Sequence, residues 1–394
     1  MKKNQRKNNN ASAKKRKILY VSGTRADYGL MRSTLLGIKK SKKLDLEIAV
    51  TGMHLMKESG RTIDEIKKDG HKFTIIDAVY DKDDKESMAR FIGKCIWKLV
   101  GKIQKIKPDV ILILGDRGEM LAAAIVGTYL TIPVAHLHGG EITSTVDETA
   151  RHAITKLSHL HLAATQKSKE KILWLGEEEW RIKVVGAPGL DAIINKKLPS
   201  ITEIGSKFNL DLKEPFLIVL QHPVTENVND ASKQIKTTLA AVTELKKQTI
   251  VIYPNADAGG RQMIKTIEQF RRFPFIRILK NIEHDFYLGL MKHAGVLIGN
   301  SSSGIIEAPS FGLPVVNIGD RQIGRERAKN VINVGYKKEK IIAAVKKALY
   351  NQRFRSQDRF CENPYGDGKT GQKIINILSR VEINPKLLFK KLIY

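Results

Sequence analysis

Apolar residues in this chain come in short unbroken runs, each ending in glycine or small polar residues and followed by a stretch of helical spacing. "KILYVSG" (17–23) is the first run, "TRADYG" its turn, and "LMRSTLLGIKK" the helix that follows. "LDLEIAVTG" (44–52), "HKFTIID" (71–77), "PDVILILGDRGE" (108–119), "IPVAHLHGG" (132–140), "HLHLAAT" (159–165) and "IKVVGAPG" (182–189) continue the series. Helices are expected between them over 87–107, 119–129 and 148–157. A run without polar alternation suits a strand of a parallel sheet covered on both faces. The pattern lapses over 187–212 and restarts at "FLIVLQHP" (216–223). A helix over 229–247 follows, then runs at 249–257, "FIRILKN", "GVLIGNSSSG" and "LPVVNIGD". This alternation predicts two α/β domains with parallel sheets, 17–190 and 191–370. A basic tail, 1–16, precedes them and a helix with its own tail, 371–394, follows. Two such domains leave a cleft between the carboxyl ends of their strands, where ligands bind.

Composition narrows the setting. With 42% hydrophobic residues among 394, the chain can bury a substantial core. Cys95 and Cys361 have no CxxC spacing, which argues against a disulfide framework or a cysteine zinc site and fits a reducing, cytoplasmic compartment. The N-terminus lacks the apolar segment of a signal peptide, and no later run is long enough to span a membrane. The formal charge of +27, from 68 Lys+Arg against 41 Asp+Glu, raises the question of nucleic acid. Its distribution answers against it. The surplus is concentrated in the tail and in scattered lysines, the pattern of a solvated surface that attracts phosphorylated small molecules.

The strand ends carry the chemistry. "VSGTRADYG" lacks both GxGxxG and the P-loop signature, so Arg25 there is either an ion-pair partner or a phosphate ligand. "ILGDRGE" places Asp116, Arg117 and Glu119 after the most buried strand. Asp116 can cap the next helix. Arg117 at a positive helix end needs a diphosphate or an acidic neighbour to explain it. "HLHGGEITSTVDETARH" packs His136, His138, Glu141, Asp147, Glu148, Arg151 and His152 together without HExxH. No metal is expected there; carboxyls and histidines of shifted pKa suit proton transfer instead. His136 reads as a hydrogen-bonded core histidine, and Thr145 or Asp147 as the cap of the following helix. His222 in "QHPVTEN" faces the cleft as a catalytic or phosphate-binding group, or is structural. Ser301, Ser302, Ser303 and Gly304 precede a helix, where hydroxyls and free N–H groups surround an anion. Glu307, one turn inside, suits neutral sugar or ribose hydroxyls, while Arg321 neutralises phosphate. Together these residues make a nucleotide-sugar site.

"GTRADYG", "GDRGEMLAAA", "HGGEITSTVDETARHAITKLSHLH", "QHPVTE", "GNSSSGIIEAPSFGLPVVNIGDRQIGRE" and "NPYGDG" together resemble the hydrolysing UDP-N-acetylglucosamine 2-epimerase family, in its sialic-acid and legionaminic-acid branch. The resemblance covers residues 17–375. It implies two Rossmann-like domains in a GT-B arrangement, the second binding UDP, with the UDP-sugar between them and a homodimer or tetramer as the assembly. It also implies elimination of UDP to a 2-acetamidoglycal, then addition of water to give the free 2-epimerised sugar, with no metal or redox cofactor. Asp116, Asp147 and His222 match the family's catalytic positions. Arg25, Arg117, Ser302, Glu307 and Arg321 match UDP or UDP-sugar contacts, and Ala26, Asn255, Ser301, Ser303 and Gly304 are grouped with them.

One position departs from the pattern. Some relatives carry "HIEGGE", with an acid where this chain has His138, while Glu141 is retained. Either residue can supply the missing titratable group, and the change accompanies a changed sugar in one reading. The leading expectation is hydrolysis and epimerisation of UDP-N-acetylglucosamine to N-acetylmannosamine and UDP, for sialic-acid synthesis. The alternatives are the same reaction on UDP-2,4-diacetamido-2,4,6-trideoxy-glucose, for legionaminic acid, a non-hydrolysing UDP-sugar epimerase, and a GT-B glycosyltransferase.

Overall fold

The computed structural model of the protein describes residues 14–56, 62–82, 84–142, 146–359, 362–391 and 393. Most of the basic tail, Cys361 and the candidate cap Thr145 lie outside the described residues. β1 (Arg16–Ser22), β2 (Leu44–Val50), β3 (Lys72–Ile75), β4 (Val110–Leu114), β5 (Val134–Leu137), β6 (Leu160–Ala163) and β7 (Ile182–Val184) form a seven-stranded sheet. Its order is β3-β2-β1-β4-β5-β6-β7, and every pairing is parallel. β8 (Leu217–Leu220), β9 (Thr249–Ile252), β10 (Ile276–Leu279), β11 (Val296–Gly299), β12 (Val315–Ile318) and β13 (Val331–Val334) form a second parallel sheet, ordered β10-β9-β8-β11-β12-β13.

β1 shows why the apolar runs are unbroken. Ile18 and Tyr20 pack on one face with Leu35, and Leu19 and Val21 on the other with Phe91 and Leu99. Each such side chain taken out of water contributes about 1.5–3 kcal/mol, so a strand covered on both faces gains from apolar residues at every position. The second sheet repeats this, with Leu217 and Val219 on one side and Ile218 on the other. Each strand order reverses once, at β1/β4 and at β8/β11. Loops diverge at such switch points and leave a crevice between them. "SGTR", "GDRG", "QHP" and "GNSSSG" leave the strands at those two points.

The local boundaries differ in three places. The helix after β1 begins at Arg25, inside the expected turn, because Thr24 and Asp27 make a capping box. The lapse at 187–212 contains two short helices, Gly189–Asn195 and Ile201–Phe208, each too brief to display a period. β13 was not expected: it is a four-residue strand at the sheet edge, half-buried or exposed throughout.

The last long helix, Thr370–Arg380, returns to the first domain, where Ile374 and Leu378 join the core of the first sheet. Asp191 receives it, accepting the N–H groups of Thr370 at 2.9 Å and Gly371 at 2.6 Å. Gly37 permits the contact, since a Cβ there would lie 2.6 Å from Ile375 Cδ1. No helix among the described residues is long and apolar enough to cross a membrane.

Candidate active site

A cleft opens between the carboxyl ends of the two sheets. Thr24, Arg25 and Ala26 line it from the first domain, and His222, Asn255, Ser301, Ser302, Ser303 and Glu307 from the second. Arg25 is an ion-pair partner that also faces the cleft: it pairs with Glu65 and donates to Asn281 Oδ1 at 2.7 Å. Burial lowers its pKa to about 10, against the field of Glu283.

The turn that presents Arg25 is tied by the buried carboxylate of Asp27, which accepts from Gly23 N at 3.0 Å and Thr24 N at 2.6 Å. A Cβ built on Gly23 would overlap the carboxylate of Glu119, which is itself buried and held by Arg117 Nε at 2.9 Å. Gly23→Ala is therefore expected to cost about 2–4 kcal/mol in urea unfolding, by displacing a buried charge pair. Unchanged stability would show that Glu119 relocates freely.

His222 is held in one orientation. Asn300 Oδ1 accepts its backbone N–H at 2.7 Å, and Asn300 Nδ2 donates to its carbonyl at 2.9 Å. Asn255 N donates to His222 Nδ1 at 3.1 Å. Burial, with the charges of Arg321 and Arg117, pushes the imidazole well below its ordinary pKa. It is thus neutral at pH 7, and with Nδ1 accepting, its proton sits on Nε2.

Beside the cleft lies a cluster of acids and arginines. Asp116 pairs with the fully buried Arg151, whose Nη1 also donates to the Glu141 carbonyl at 2.7 Å. Glu141 accepts from His138 Nδ1 at 2.5 Å and pairs with Arg325 at 3.0 Å. Arg321 reaches Asp147 at 3.5 Å. These fields drive the carboxyls apart. Burial would raise Asp116, but Arg151, Arg325 and Arg321 outweigh it and hold it below the usual range. Burial likewise opposes the charge on Glu141, yet Arg325 and His138 keep it low. Asp147 goes the other way: burial and the charges of Asp116 and Asp257 push it up to about 6. Glu307, buried near Arg325 and Glu141, rises to about 8, chiefly by desolvation.

Several expected roles change. Arg117, not Asp116, occupies the N-cap of the helix Gly118–Tyr129 and makes no side-chain cap bond; the Asp116 carboxylate is drawn to Arg151 instead. Arg117 meets the acidic partners its placement called for. Its acidic neighbours are Glu119 and, across the domains, Asp257 at 3.3 Å, and its Nη2 donates to Tyr80 OH at 3.1 Å. Gly304 sits within a single helical turn, Ser303–Ile306, packed toward Val315, and Glu307 ends that turn rather than lying inside a longer helix. His136 keeps its expected role as a hydrogen-bonded core histidine, bonded through Nε2 to Gly115 O at 2.7 Å, and burial lowers it to about 3. Arg325, Asn300 and Asp257 were not singled out from sequence, and Arg151 only as one of a dense group. The available signal was spacing: Arg151 follows Asp147, and Arg325 follows Arg321, by four residues.

Residues 37–379 match the family model described as UDP-N-acetylglucosamine 2-epimerase. The chain belongs to the UDP-N-acetylglucosamine 2-epimerase family. It is 41% identical over 376 residues to a UDP-N,N'-diacetylbacillosamine 2-epimerase (hydrolyzing) from Legionella pneumophila, covering 95% of this chain and 98% of that protein. It is 35% identical over 346 residues to a UDP-N-acetylglucosamine 2-epimerase from Neisseria meningitidis, covering 88% and 90%. Its fold matches the crystal structure of a Neisseria meningitidis UDP-GlcNAc 2-epimerase bound to UDP-GlcNAc, with a TM-score of 0.79 at 22% identity over 92% of this chain and 99% of that one. Within the family this chain is a hydrolysing UDP-sugar 2-epimerase.

Proposed function

We propose that the chain converts UDP-2,4-diacetamido-2,4,6-trideoxy-glucose and water to the free 2-epimerised sugar and UDP. The observation that carries the chemistry is the pair Asp116 and Asp147, neighbouring carboxyls whose acidities are driven in opposite directions. Inversion at C2 requires a proton to leave one face and another to arrive on the opposite face. One ionised and one protonated carboxyl supply these two roles. In this reading Asp116 takes the C2 proton as the C1–O bond to UDP breaks, giving the 2-acetamidoglycal. Water then adds at C1, its spare proton passing to solvent, while Asp147 delivers a proton to C2.

His222, with its proton on Nε2, donates toward the departing diphosphate oxygen, and Arg321 lies within its field to balance the charge. Ser301, Ser302, Ser303 and Arg25 hold the diphosphate in the cleft, and Glu307 takes neutral hydroxyls. A carboxyl raised to about 8 is largely uncharged at pH 7, so it does not repel the anion beside it.

The choice of sugar is supported by the identity to the Legionella pneumophila protein, 41% against 35% for the Neisseria meningitidis one. UDP-N-acetylglucosamine, first in the sequence reading, is the second candidate on the strength of the latter. The purified enzyme, incubated in D2O with each sugar and followed by proton NMR, is expected to give UDP and a free sugar deuterated at C2, faster with the diacetamido substrate. A faster reaction with UDP-N-acetylglucosamine reverses the choice of sugar. An intact, epimerised UDP-sugar overturns the hydrolytic reading.

A further inference from the structure

The helix Val146–Leu157 carries Asp147 in its first turn and Arg151, the partner of Asp116, one turn later. Its other end is gripped by the C-terminal segment of the chain. Lys390 Nζ donates to the last-turn carbonyls of Lys156 at 2.7 Å and Thr155 at 3.3 Å, the latter also accepting Ser158 N–H at 3.2 Å. Its counter-ion is the buried Glu177, at 2.7 Å, which also receives Lys156 Nζ at 2.7 Å and His161 Nε2 at 3.0 Å.

The segment that brings Lys390 there is itself anchored. The buried guanidinium of Arg181 donates to Leu387 O at 2.7 Å, Lys386 O at 2.8 Å and Phe389 O at 3.2 Å. Lys386 lies 5.0 Å over the Trp180 ring. Inside the helix, Thr155 Oγ1 donates to Arg151 O at 3.0 Å and closes against the turn at Gly139 that leads from His138 to Glu141. A cation at the negative end of this helix therefore fixes a rigid element whose opposite end holds the proton-transfer carboxyl.

We propose that Lys390 is a positioning residue for the reaction: by clamping the C-terminal carbonyls of the helix Val146–Leu157 to Glu177, it sets the placement of Asp147 and Arg151 at the far end. This rests on the reading of Asp147 as a proton-transfer group, so Asp147→Asn is assayed in parallel with Lys390→Met and Lys390→Arg in the full chain. Lys390→Met is expected to lower kcat about 5- to 20-fold, with KM and the UDP Kd changed less than twofold. Lys390→Arg, which keeps the charge and the donors, is expected to recover at least half of wild-type kcat.

A Lys390→Met enzyme with a lowered Tm but unchanged kcat at a temperature where it is folded overturns the proposal. A loss of kcat that Lys390→Arg does not recover, or one matched by a parallel rise in KM, also overturns it. An active Asp147→Asn enzyme would instead remove the reading of the site on which it rests. If Lys390→Met does not fold, Glu177→Gln, which leaves the lysine in place but removes its counter-ion, is read by the same kcat and KM criteria.

Discussion

Asp116→Asn is expected to lower kcat by about 10²- to 10⁴-fold, the usual worth of a positioned general base, with KM for the UDP-sugar changed only a few-fold. The amide is nearly isosteric but cannot accept the C2 proton. The loss should therefore fall on the chemical step and leave UDP binding, measured by calorimetry, close to wild type. A second effect comes with it. Arg151 is fully buried, and Asp116 is its charge partner. Removing one member of a buried pair costs about 3–5 kcal/mol, reduced here because Arg151 keeps its bond to the Glu141 carbonyl and the amide oxygen can still accept. Kinetics must accordingly be measured well below the variant's melting temperature. If kcat falls less than tenfold in folded enzyme, Asp116 is not the base.

Asp147→Asn is expected to lower kcat by a similar factor while making the fold more stable at alkaline pH. The sign follows from linkage. In the folded protein this carboxyl rises to about 6, whereas in the unfolded chain it ionises near its ordinary value, so between those values the native state binds more protons. Stability therefore falls as pH rises through that window, and the penalty, at most about 3 kcal/mol, persists above it. The amide removes this penalty. A gain of about 1–3 kcal/mol at pH 8, shrinking toward zero near pH 4, is expected in urea unfolding. Asp116 contributes in the opposite sense, since its depressed acidity gives stability that is lost as pH falls. Because the two carboxyls interact, kinetic pKa values belong to the pair. A protonated Asp147 delivering the second proton makes wild-type kcat fall along a limb at or above pH 6, since a bound diphosphate raises that carboxyl further. Asp147→Asn should abolish the limb, and a profile unchanged by the substitution would remove Asp147 from the chemistry.

Gain of stability with loss of activity is the pattern of a site that holds a charge where the fold does not want it. Asp147 fits that description, whereas the charge of Asp116, paired with Arg151, stabilises the fold.

The architecture was legible in the sequence for a simple reason. Strands covered on both faces are apolar at nearly every position, so runs such as 110–114 and 217–220 identify themselves without neighbours. The strand ends announce themselves too, because small and polar residues cannot continue such a strand. Local competition settled details the runs do not carry: Thr24 and Asp27 drew the first helix into the expected turn, and β13 is a short edge strand set by its pairing with β12. What only tertiary structure decided is which charges meet. Arg117 and Asp257 lie 140 residues apart and meet across the domains, while Asp116 and Arg151 lie 35 apart and meet beside neighbouring parallel strands of the first domain. A sequence shows that Asp116 and Asp147 can ionise. Their opposite displacements arise from burial and from arginines delivered by other segments, because an electrostatic field depends on distance through space and not along the chain.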